Sequence, residues 1–338
     1  MRALVTGGTG FIGSNLVREL LAQGMRVRVL IRKDSDRRNL ASLAAEIAVG
    51  DLTDRASLER AVAGCSFVFH AAASYVFWSK NPSSIYAANV RGTENILHAA
   101  VHSDVRKVVY TSTESTIGIE GDSLGTEART ASINQLAGDY KRSKLLAEQI
   151  ALEYCRKGAP IVIVNPTMPI GPWDIKPTPS GQVVVDFLNR RMPAYVNTGL
   201  NIIDVRDVAK GHLLALEKGR LGERYILGHQ NVTLQELLHV LAEVTGREAP
   251  RIRIPMGVAL VAGIIDETVR GRILGKPPRI PLAAVKTARK FRHFDCSKAI
   301  EELGLPQTPI DQAFQAAIRW FHDRGYIRGV GTDSRGQG

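Results

Sequence analysis

The stretch Thr6-Gly7-Gly8-Thr9-Gly10-Phe11-Ile12-Gly13 joins an apolar run at Ala3–Val5 to a helical pattern that ends at Gly24. Glycines at such a junction permit a tight turn and a close approach of the backbone to a pyrophosphate. The helix that follows adds free N–H groups and the positive end of its dipole. A glycine-rich turn alone is a weak signal, but the strand–helix context favours a dinucleotide site. Its expected contacts are Gly7, Thr9, Gly10, Phe11, Ile12 and Gly13.

Short β-branched runs alternate with helical patterns through the first half of the chain. This alternation predicts a parallel sheet with helices on both faces. Beyond residue 165, five prolines within fourteen residues predict a loop-rich crossing. The expected fold is α/β, a Rossmann-type doubly wound parallel sheet with a smaller, mixed C-terminal region. Residues 1–165 would bind the cofactor, 166–328 would bind the substrate and interleave partly with the first sheet, and 329–338 would be a flexible tail.

The composition is that of an ordinary globular protein, with 338 residues and 44% hydrophobic residues. Disordered, collagen-like and disulfide-scaffold classes are therefore excluded. The net charge is +11, but ten Lys/Arg and only two acids fall within Arg251–Arg292. Because the excess is regional, we do not expect a nucleic-acid-binding surface spread over the whole chain.

Cysteine usage favours a reducing compartment. The three cysteines are far apart, and no Cys/His cluster accompanies them: Cys65, Cys155 and Cys296. We expect free thiols and no metal site. No signal peptide precedes the glycine motif, and no apolar stretch approaches the roughly twenty residues of a membrane-spanning helix. The expected location is cytoplasmic.

The longest uncharged apolar stretch, Ile254–Ile265, is followed by several basic residues. An apolar face beside basic residues is typical of weak peripheral contact with a membrane surface. The weak amphipathic pattern favours the other interpretation, a buried helix near the substrate cleft followed by a solvated basic loop.

The residues after the second strand bear on cofactor choice. An acid at this strand end binds ribose hydroxyls, whereas a basic residue can pair with a 2′-phosphate. Arg32 follows the run Val27–Ile31, and Arg37 and Arg38 come soon after. We therefore predict a preference for NADP(H) over NAD(H), with a solvated basic loop as the alternative. Asp51 would lie near the adenine or cap the next helix.

Tyr140 and Lys144 are one turn apart on one face of a predicted helix. A lysine ammonium beside a phenol favours the phenolate and lowers the phenol pKa. A tyrosine tuned in this way can exchange a proton with a substrate oxygen near neutral pH. The pair thus predicts catalysis, although this spacing alone also arises by chance.

The order of motifs resembles that of the extended short-chain dehydrogenase/reductases, also called the NAD-dependent epimerase/dehydratase family, over roughly residues 1–325. The matching motifs are Thr6–Gly13, Gly50-Asp51-Leu52, His70–Ala73, Asn89, Thr111–Thr113, Tyr140 with Lys144, Asn165-Pro166 and Asp204–Ala209. Residues 29–40 are similar to the dihydroflavonol-reductase-like group. Residues 165–179, 192–204 and 222–228 look closer still to the bacterial hopanoid-associated sugar epimerase group.

The resemblance implies hydride transfer between the nicotinamide and a substrate carbon. Tyr140 matches the family's general acid/base, and Lys144 matches the residue that binds the nicotinamide ribose. Counting back from Gly118 places Thr113 at the position of the catalytic serine, where its hydroxyl would orient the substrate oxygen. Glu114 departs from the small residues usual in this loop and is expected to alter substrate fit or add a charge.

The resemblance also implies further cofactor contacts. They are Asp51, Leu52, Ala71, Ala72, Ala73, Asn89, Thr111, Asn165, Pro166 and Thr167, beside the glycine motif, Tyr140 and Lys144. For the substrate, we expect one wall from Ser74, Tyr75, Phe77 and Trp78, and the other side from Met168, Trp173 and Tyr195, with Glu114 nearby. Aromatic residues in such positions belong to the core as often as they contact a ligand.

Reductase and epimerase activities both remain open. Arg32 favours a reductase that exchanges NADPH, whereas the most similar group favours a nucleotide-sugar or hopanoid-linked sugar epimerase that recycles one bound cofactor. A non-catalytic cofactor-binding protein is a third hypothesis, but such members typically lack the tyrosine–lysine pair. The resemblance further implies a homodimer formed through helices such as 84–101 and 138–156.

Overall fold

The aliphatic runs of the sequence form strands in a computed structural model, which describes residues 1–76 and 78–327. Phe77 and the predicted tail 329–338 lie outside the described residues. The strands are β1 (Arg2–Thr6), β2 (Arg26–Ile31), β3 (Glu46–Val49), β4 (Phe67–His70), β5 (Lys107–Thr111), β6 (Ile161–Pro166), β7 (Met168–Ile170), β8 (Ala194–Tyr195), β9 (Gly199–Asp204), β10 (Arg224–Leu227), β11 (Gln230–Thr233) and β12 (Ile252–Arg253).

The α-helices between them are α1 (Phe11–Ala22), α2 (Arg55–Val62), α3 (Pro82–Tyr86), α4 (Gly92–Val101), α5 (Asp139–Arg156), α6 (Pro179–Leu188), α7 (Val205–Glu217), α8 (Leu234–Thr245), α9 (Met256–Asp266), α10 (Leu282–Ala288) and α11 (Ile310–Asp323). Short π-helical segments at Ala87–Arg91 and Glu267–Ile273 follow α3 and α9 directly. Together α3, the first π segment and α4 form one helical rod.

Seven strands form a parallel sheet in the order β10-β6-β5-β4-β1-β2-β3. Helices α1 and α7 pack on one face, where Leu16 and Val208 belong to the same apolar core. Helices α2, α4 and α5 cover the other face, where Leu58, Ile96 and Ala147 form a second core. The predicted doubly wound α/β fold is confirmed.

The C-terminal region has its own small sheet, β11-β9-β7, and a separate β12-β8 pair. Helices α6, α8 and α11 pack around a third apolar core that includes Phe314 and Phe321. The proline-rich crossing contains β7, whose Pro169 is tolerated because this strand lies at a sheet edge. Strand β10 returns to the main sheet beside β6, so the later part of the chain completes the earlier sheet.

Helix α9 covers the apolar stretch found in the sequence, but the interpretation of this stretch as a buried helix is wrong. Val258, Val261 and Ile265 are each 58% exposed. None of the described helices is long and apolar enough to cross a membrane.

Candidate active site

Two glycines of the turn, Gly7 and Gly13, leave no room for a side chain. Gly7 has φ +76°, and a Cβ there would lie 2.6 Å from the amide nitrogen of Ala72. A Cβ on Gly13 would lie 2.2 Å from the carbonyl oxygen of Gly7. The turn therefore packs backbone to backbone, against both the start of α1 and the segment after β4.

The start of α1 offers unpaired donors. Its N-cap, Gly10, has no side chain to bond them, and the Gly10 carbonyl accepts the first helical hydrogen bond from Ser14 N. The N–H groups of Phe11, Ile12 and Gly13 consequently have no partner within the helix. A tight turn that requires glycine at positions 7 and 13, beside free N–H groups at a positive helix end, fits the diphosphate of a dinucleotide. Thr9 lies in this turn, with its carbonyl accepting from Asn39 Nδ2.

Basic residues lie after β2, as predicted, but they are not equivalent. Arg32 is exposed and forms no ion pair within the described ranges. Arg38 instead bonds Asp36, with Nη2 to Oδ2 at 2.7 Å, and this bond lowers the pKa of Asp36 to about 2. Arg37 is exposed. Arg32, Lys33 and Arg37, all exposed, are therefore the cations available for a phosphate at this strand end.

Asp51 does not cap α2. Its carboxylate accepts hydrogen bonds from Thr53 N and Thr53 Oγ1, which are the main cause of its lowered pKa, and Asp54 is the N-cap. The neighbouring Leu52 packs against Gly92, where a Cβ would lie 2.8 Å from Leu52 Cβ. The loop after β3 is thus fixed beside the helical rod.

The segment after β4 is fixed by buried hydrogen bonds. Thr6 Oγ1 contacts His70 Nδ1 at 2.7 Å and accepts from Ala72 N. His70 is buried, and burial lowers its pKa to about 3, so it is a neutral structural residue. Asn89 bonds both backbone groups of Ser74 and donates to Ser143 Oγ. Both Asn89 amide hydrogens are used within the protein, so this residue positions Ser74, and its contact with the cofactor stays a prediction.

Tyr140 lies in the first turn of α5, beside the loop after β5. The side chain of Thr113, the N-cap of the short turn Glu114–Thr116, lies near the Tyr140 hydroxyl. Burial raises the pKa of Tyr140, the charge of Glu114 raises it further, and the nearby Thr113 side chain lowers it. The expectation that the lysine would lower this pKa is not met in the structure.

The reason is the direction of Lys144. Its ammonium donates to Tyr110 Oη at 3.0 Å and to the Thr111 carbonyl at 2.8 Å. Burial lowers the pKa of Lys144 to about 8, opposed by the charge of Glu148. Thr111 Oγ1 in turn contacts His212 Nε2 at 2.8 Å. Lys144 therefore shares the site with Tyr140 without contacting its hydroxyl.

A buried polar network under the Thr113 loop was not predicted from the sequence. Asn165 Nδ2 donates to the Thr113 carbonyl and to Glu148 Oε2, and Thr116 Oγ1 donates to the same carboxylate. Arg224 of β10 pairs with Glu148 at 3.0 Å. The i, i+4 spacing of Lys144 and Glu148 on α5 was the available signal.

Two buried polar atoms beside this network are available to form hydrogen bonds with a ligand. Ser112 Oγ and Asn165 Oδ1 are buried without a hydrogen-bond partner among the residues described. Pro166 ends β6, and Thr167 N donates to the Leu227 carbonyl at 3.0 Å. Strand β10 therefore holds the predicted loop after β6 in place. The unpartnered atoms Ser112 Oγ and Asn165 Oδ1 lie at the base of this loop.

A cleft of about 900 Å³ opens along the start of α5. Its lining includes seven basic residues: Lys141, Arg142, Arg272, Lys286, Arg289, Lys290 and Arg292. Asp139 and Glu267 are the acids in this lining. Arg292 Nε donates to Glu114 Oε2 at 2.6 Å, which joins the cleft to the loop beside Tyr140. Part of the basic excess between residues 251 and 292 thus lines the cleft, a role that the sequence did not reveal.

The predicted substrate residues divide into two groups. Tyr75 meets Tyr140 edge-on with ring centroids 4.5 Å apart, and Trp78 lines the cleft. Tyr195 and Met168 belong to the third apolar core instead. Trp173 is also misplaced as a substrate wall, because its ring packs between Arg18 and Trp320. All three side chains thus pack against the C-terminal core, and Tyr195 is buried there because β8 turns its side chain inward.

Sequence comparison now agrees with this geometry. The model of the NAD dependent epimerase/dehydratase family matches residues 3–228. The chain belongs to this family. A family member with this fold is an NAD(P)-dependent enzyme of the oxidoreductase/epimerase type, and the predicted enzyme class is confirmed.

Individual relatives extend the similarity over the whole chain. A Synechocystis sp. protein named for dihydroflavonol 4-reductase is 48% identical, over 96% of this chain and 95% of its own length. The solved structure of gox2253 is 41% identical, with a TM-score of 0.86, covering 96% of this chain and 99% of that one. A nucleoside-diphosphate-sugar epimerase from Pseudomonas aeruginosa is 29% identical, with a TM-score of 0.79 over 97% and 99% of the two chains.

Proposed function

We propose that the protein is an NADP(H)-dependent carbonyl reductase, with Tyr140 as the proton donor. The observation that carries the proposal is the position of the Tyr140 hydroxyl beside the Thr113 side chain, with buried Lys144 one turn further along α5. The similarity to the Synechocystis protein, which is named for a reductase, supports the same reaction.

The chain's own residues supply binding, orientation and a proton. The glycine turn and the first turn of α1 would hold the diphosphate, and Lys144 would donate to the ribose beside the nicotinamide. The bound nicotinamide supplies the hydride. Thr113 orients the substrate oxygen, and Tyr140 donates its hydroxyl proton to it. The raised pKa keeps the Tyr140 hydroxyl protonated near neutral pH, as an acid in a reduction requires.

Arg32 supports the choice of NADP(H). It is an exposed, unpaired guanidinium immediately after β2, where a 2′-phosphate could accept its hydrogen bonds. The test is fluorescence titration of NADPH and NADH with the wild-type protein and with Arg32→Ala. A charge-assisted hydrogen bond predicts that NADPH affinity falls by roughly 10- to 100-fold while NADH affinity changes little. Arg38→Ala is the matched control, since Arg38 is already paired with Asp36. Equal losses for both cofactors would contradict the preference.

A nucleotide-sugar or hopanoid-linked sugar epimerase is the second candidate. The basic lining of the cleft would accept the diphosphate of such a substrate, and the similarity to the Pseudomonas aeruginosa epimerase supports this reading. Arg206, at the start of α7, is paired with Asp204 and is therefore not free for this role. An epimerase would purify with tightly held NAD and consume no NADPH. A reductase would purify largely free of cofactor and oxidise NADPH in proportion to the carbonyl compound reduced.

A homodimer is also proposed, formed through the helical rod of residues 82–101 and α5. These helices pack together on one face of the main sheet. Light scattering coupled to size-exclusion chromatography should give twice the chain mass of 36.8 kDa. A single chain mass over the working concentration range would refute the dimer.

A further inference from the structure

The outward side of α9 carries large aliphatic side chains. Val258, Val261, Ile264 and Ile265 are between 51% and 58% exposed. Their spacing of three and four residues places them on one side of the helix. We call these four residues the α9 face. The apolar surface continues into the π segment and the turn after it, through the exposed residues Val269, Ile273 and Leu274.

The inward side of the same helix is made of small residues. Ala259 and Gly263 are buried, and a Cβ on Gly263 would lie 3.3 Å from a methyl group of Val285 on α10. The helix therefore packs by close backbone approach and leaves its bulkiest side chains outside. A contiguous exposed apolar surface of this kind marks an interaction site.

Charge around the α9 face is strongly positive. Basic residues flank α9 along the chain: Arg251, Arg253, Arg270, Arg272, Lys276 and Arg279. The two acids of this segment are occupied, since Asp266 accepts from Ile280 N and Glu267 accepts from Leu282 N. Both carboxylates thus hold the following loop, while Arg272, Lys276 and Arg279 remain exposed.

The α9 face adjoins the mouth of the cleft. The π segment that extends α9 contacts the substrate wall, because Gly271 approaches the Trp78 ring, and a Cβ there would lie 3.2 Å from Trp78 Nε1. Glu267 and Arg272 of this segment line the cleft. A partner seated on the α9 face would lie beside the cleft entrance.

We propose that the α9 face docks the protein on an anionic lipid surface. The aliphatic side chains enter the boundary between headgroups and acyl chains, and the surrounding basic residues contact the anionic headgroups. Charge complementarity favours this occupant over a second copy of the chain, whose own α9 face would bring a like charge against it. When the protein docks in this way, the entrance of its cleft lies at the membrane surface.

Co-sedimentation of the full chain with vesicles tests the proposal. Vesicles of phosphatidylcholine alone are compared with vesicles in which about half of the lipid is phosphatidylglycerol, at low and at high salt. We expect binding to the anionic vesicles at low salt and at least a fivefold loss of binding in Val258→Ser/Ile265→Ser. The Lys276→Gln/Arg279→Gln variant should also bind more weakly and depend less on salt.

The matched control is Leu221→Ser/Leu124→Ser, which removes aliphatic side chains of 57% and 47% exposure elsewhere. It should bind vesicles like the wild-type protein, and NADPH titration should show that every variant is folded. The proposal is overturned if the wild-type chain does not sediment with anionic vesicles at low salt, or if the control variant loses as much binding. It is also overturned if Val258→Ser/Ile265→Ser only dissociates a dimer, since the face would then belong to a second copy.

Discussion

The surroundings of Tyr140 favour the protonated form of its hydroxyl. Burial and the charge of Glu114 both raise its pKa, and only the nearby Thr113 side chain lowers it. Tyr140→Phe keeps the ring that meets Tyr75 and removes only the hydroxyl. We expect NADPH oxidation with a carbonyl substrate to fall roughly 10²- to 10⁴-fold, while cofactor binding persists. Unchanged turnover would refute the role of Tyr140, and lost cofactor binding would indicate a structural defect.

Glu114 sets the pH range in which that acid works. Its charge raises the pKa of Tyr140, so replacing it by the neutral Gln lowers this pKa. A reduction needs the protonated phenol, and its rate is lost as pH rises through the tyrosine pKa. In Glu114→Gln, we therefore expect the alkaline fall in kcat to begin at a lower pH than in the wild-type protein.

The control for this pH profile is Glu120→Gln. Glu120 is also a paired glutamate, bonded to Arg129, but it is 77% exposed. Its profile should match that of the wild-type protein. A profile unchanged in Glu114→Gln would show that Glu114 acts only through its ion pair with Arg292.

Helix α5 is the element that connects the chemistry to the fold. It carries Tyr140 and Lys144 toward the cofactor side and Glu148 into the buried network that holds the Thr113 loop. Glu148→Gln leaves Arg224 without its buried counter-charge, and loss of one partner of such a pair costs about 3–5 kcal/mol of stability. Urea unfolding should show this loss, and kcat should fall because Thr113 is held less firmly.

Glu153→Gln on the same helix is the control. Glu153 pairs with Lys157 at the surface, where an ion pair contributes little, so the unfolding midpoint should stay within error of wild type. Equal stability of Glu148→Gln and Glu153→Gln would show that the buried network does not support the loop.

Elements with a strong local pattern were predictable from the sequence, and elements defined by distant packing were not. The strands β1, β2 and β4 to β6 each contain an uninterrupted aliphatic or aromatic run, as buried parallel strands require. The helix over 138–156 was equally clear. Strand β10 was missed because its four residues lie between charged and glycine positions, and only pairing with β6 makes it a strand.

The same distinction applies to the site. Glycines, Tyr140 and Lys144 occur at a fixed local spacing and were found. The direction of Lys144 toward Tyr110 and the pairing of Glu148 with Arg224 join residues 34 and 76 positions apart. Contacts of that separation are set by sheet order, which a local pattern does not encode. Tyr195 was misassigned for the same reason, since β8 directs it into the C-terminal core.

At the scale of the whole molecule, the C-terminal region brings a cluster of positive charge to the cofactor domain. The cleft between them joins α5 to residues 272–292, so a bound anion would be surrounded from both sides. This arrangement predicts that inorganic pyrophosphate binds to the protein even when saturating NADP⁺ fills the cofactor's own diphosphate site. Lys290→Glu reverses one charge of the lining and should weaken this binding by roughly five- to tenfold.

Isothermal titration at low and high ionic strength measures this effect. Raising the ionic strength from about 0.05 M to about 0.5 M shortens the screening length to a few ångströms, so wild-type affinity should fall as well. The control is Lys210→Glu, which makes the same charge reversal at an exposed position of α7 that does not line the cleft. Because both variants change the net charge equally, a weaker affinity in Lys290→Glu alone would assign the anion to the cleft. Equal weakening in both would mean that pyrophosphate responds only to the overall positive charge of the molecule.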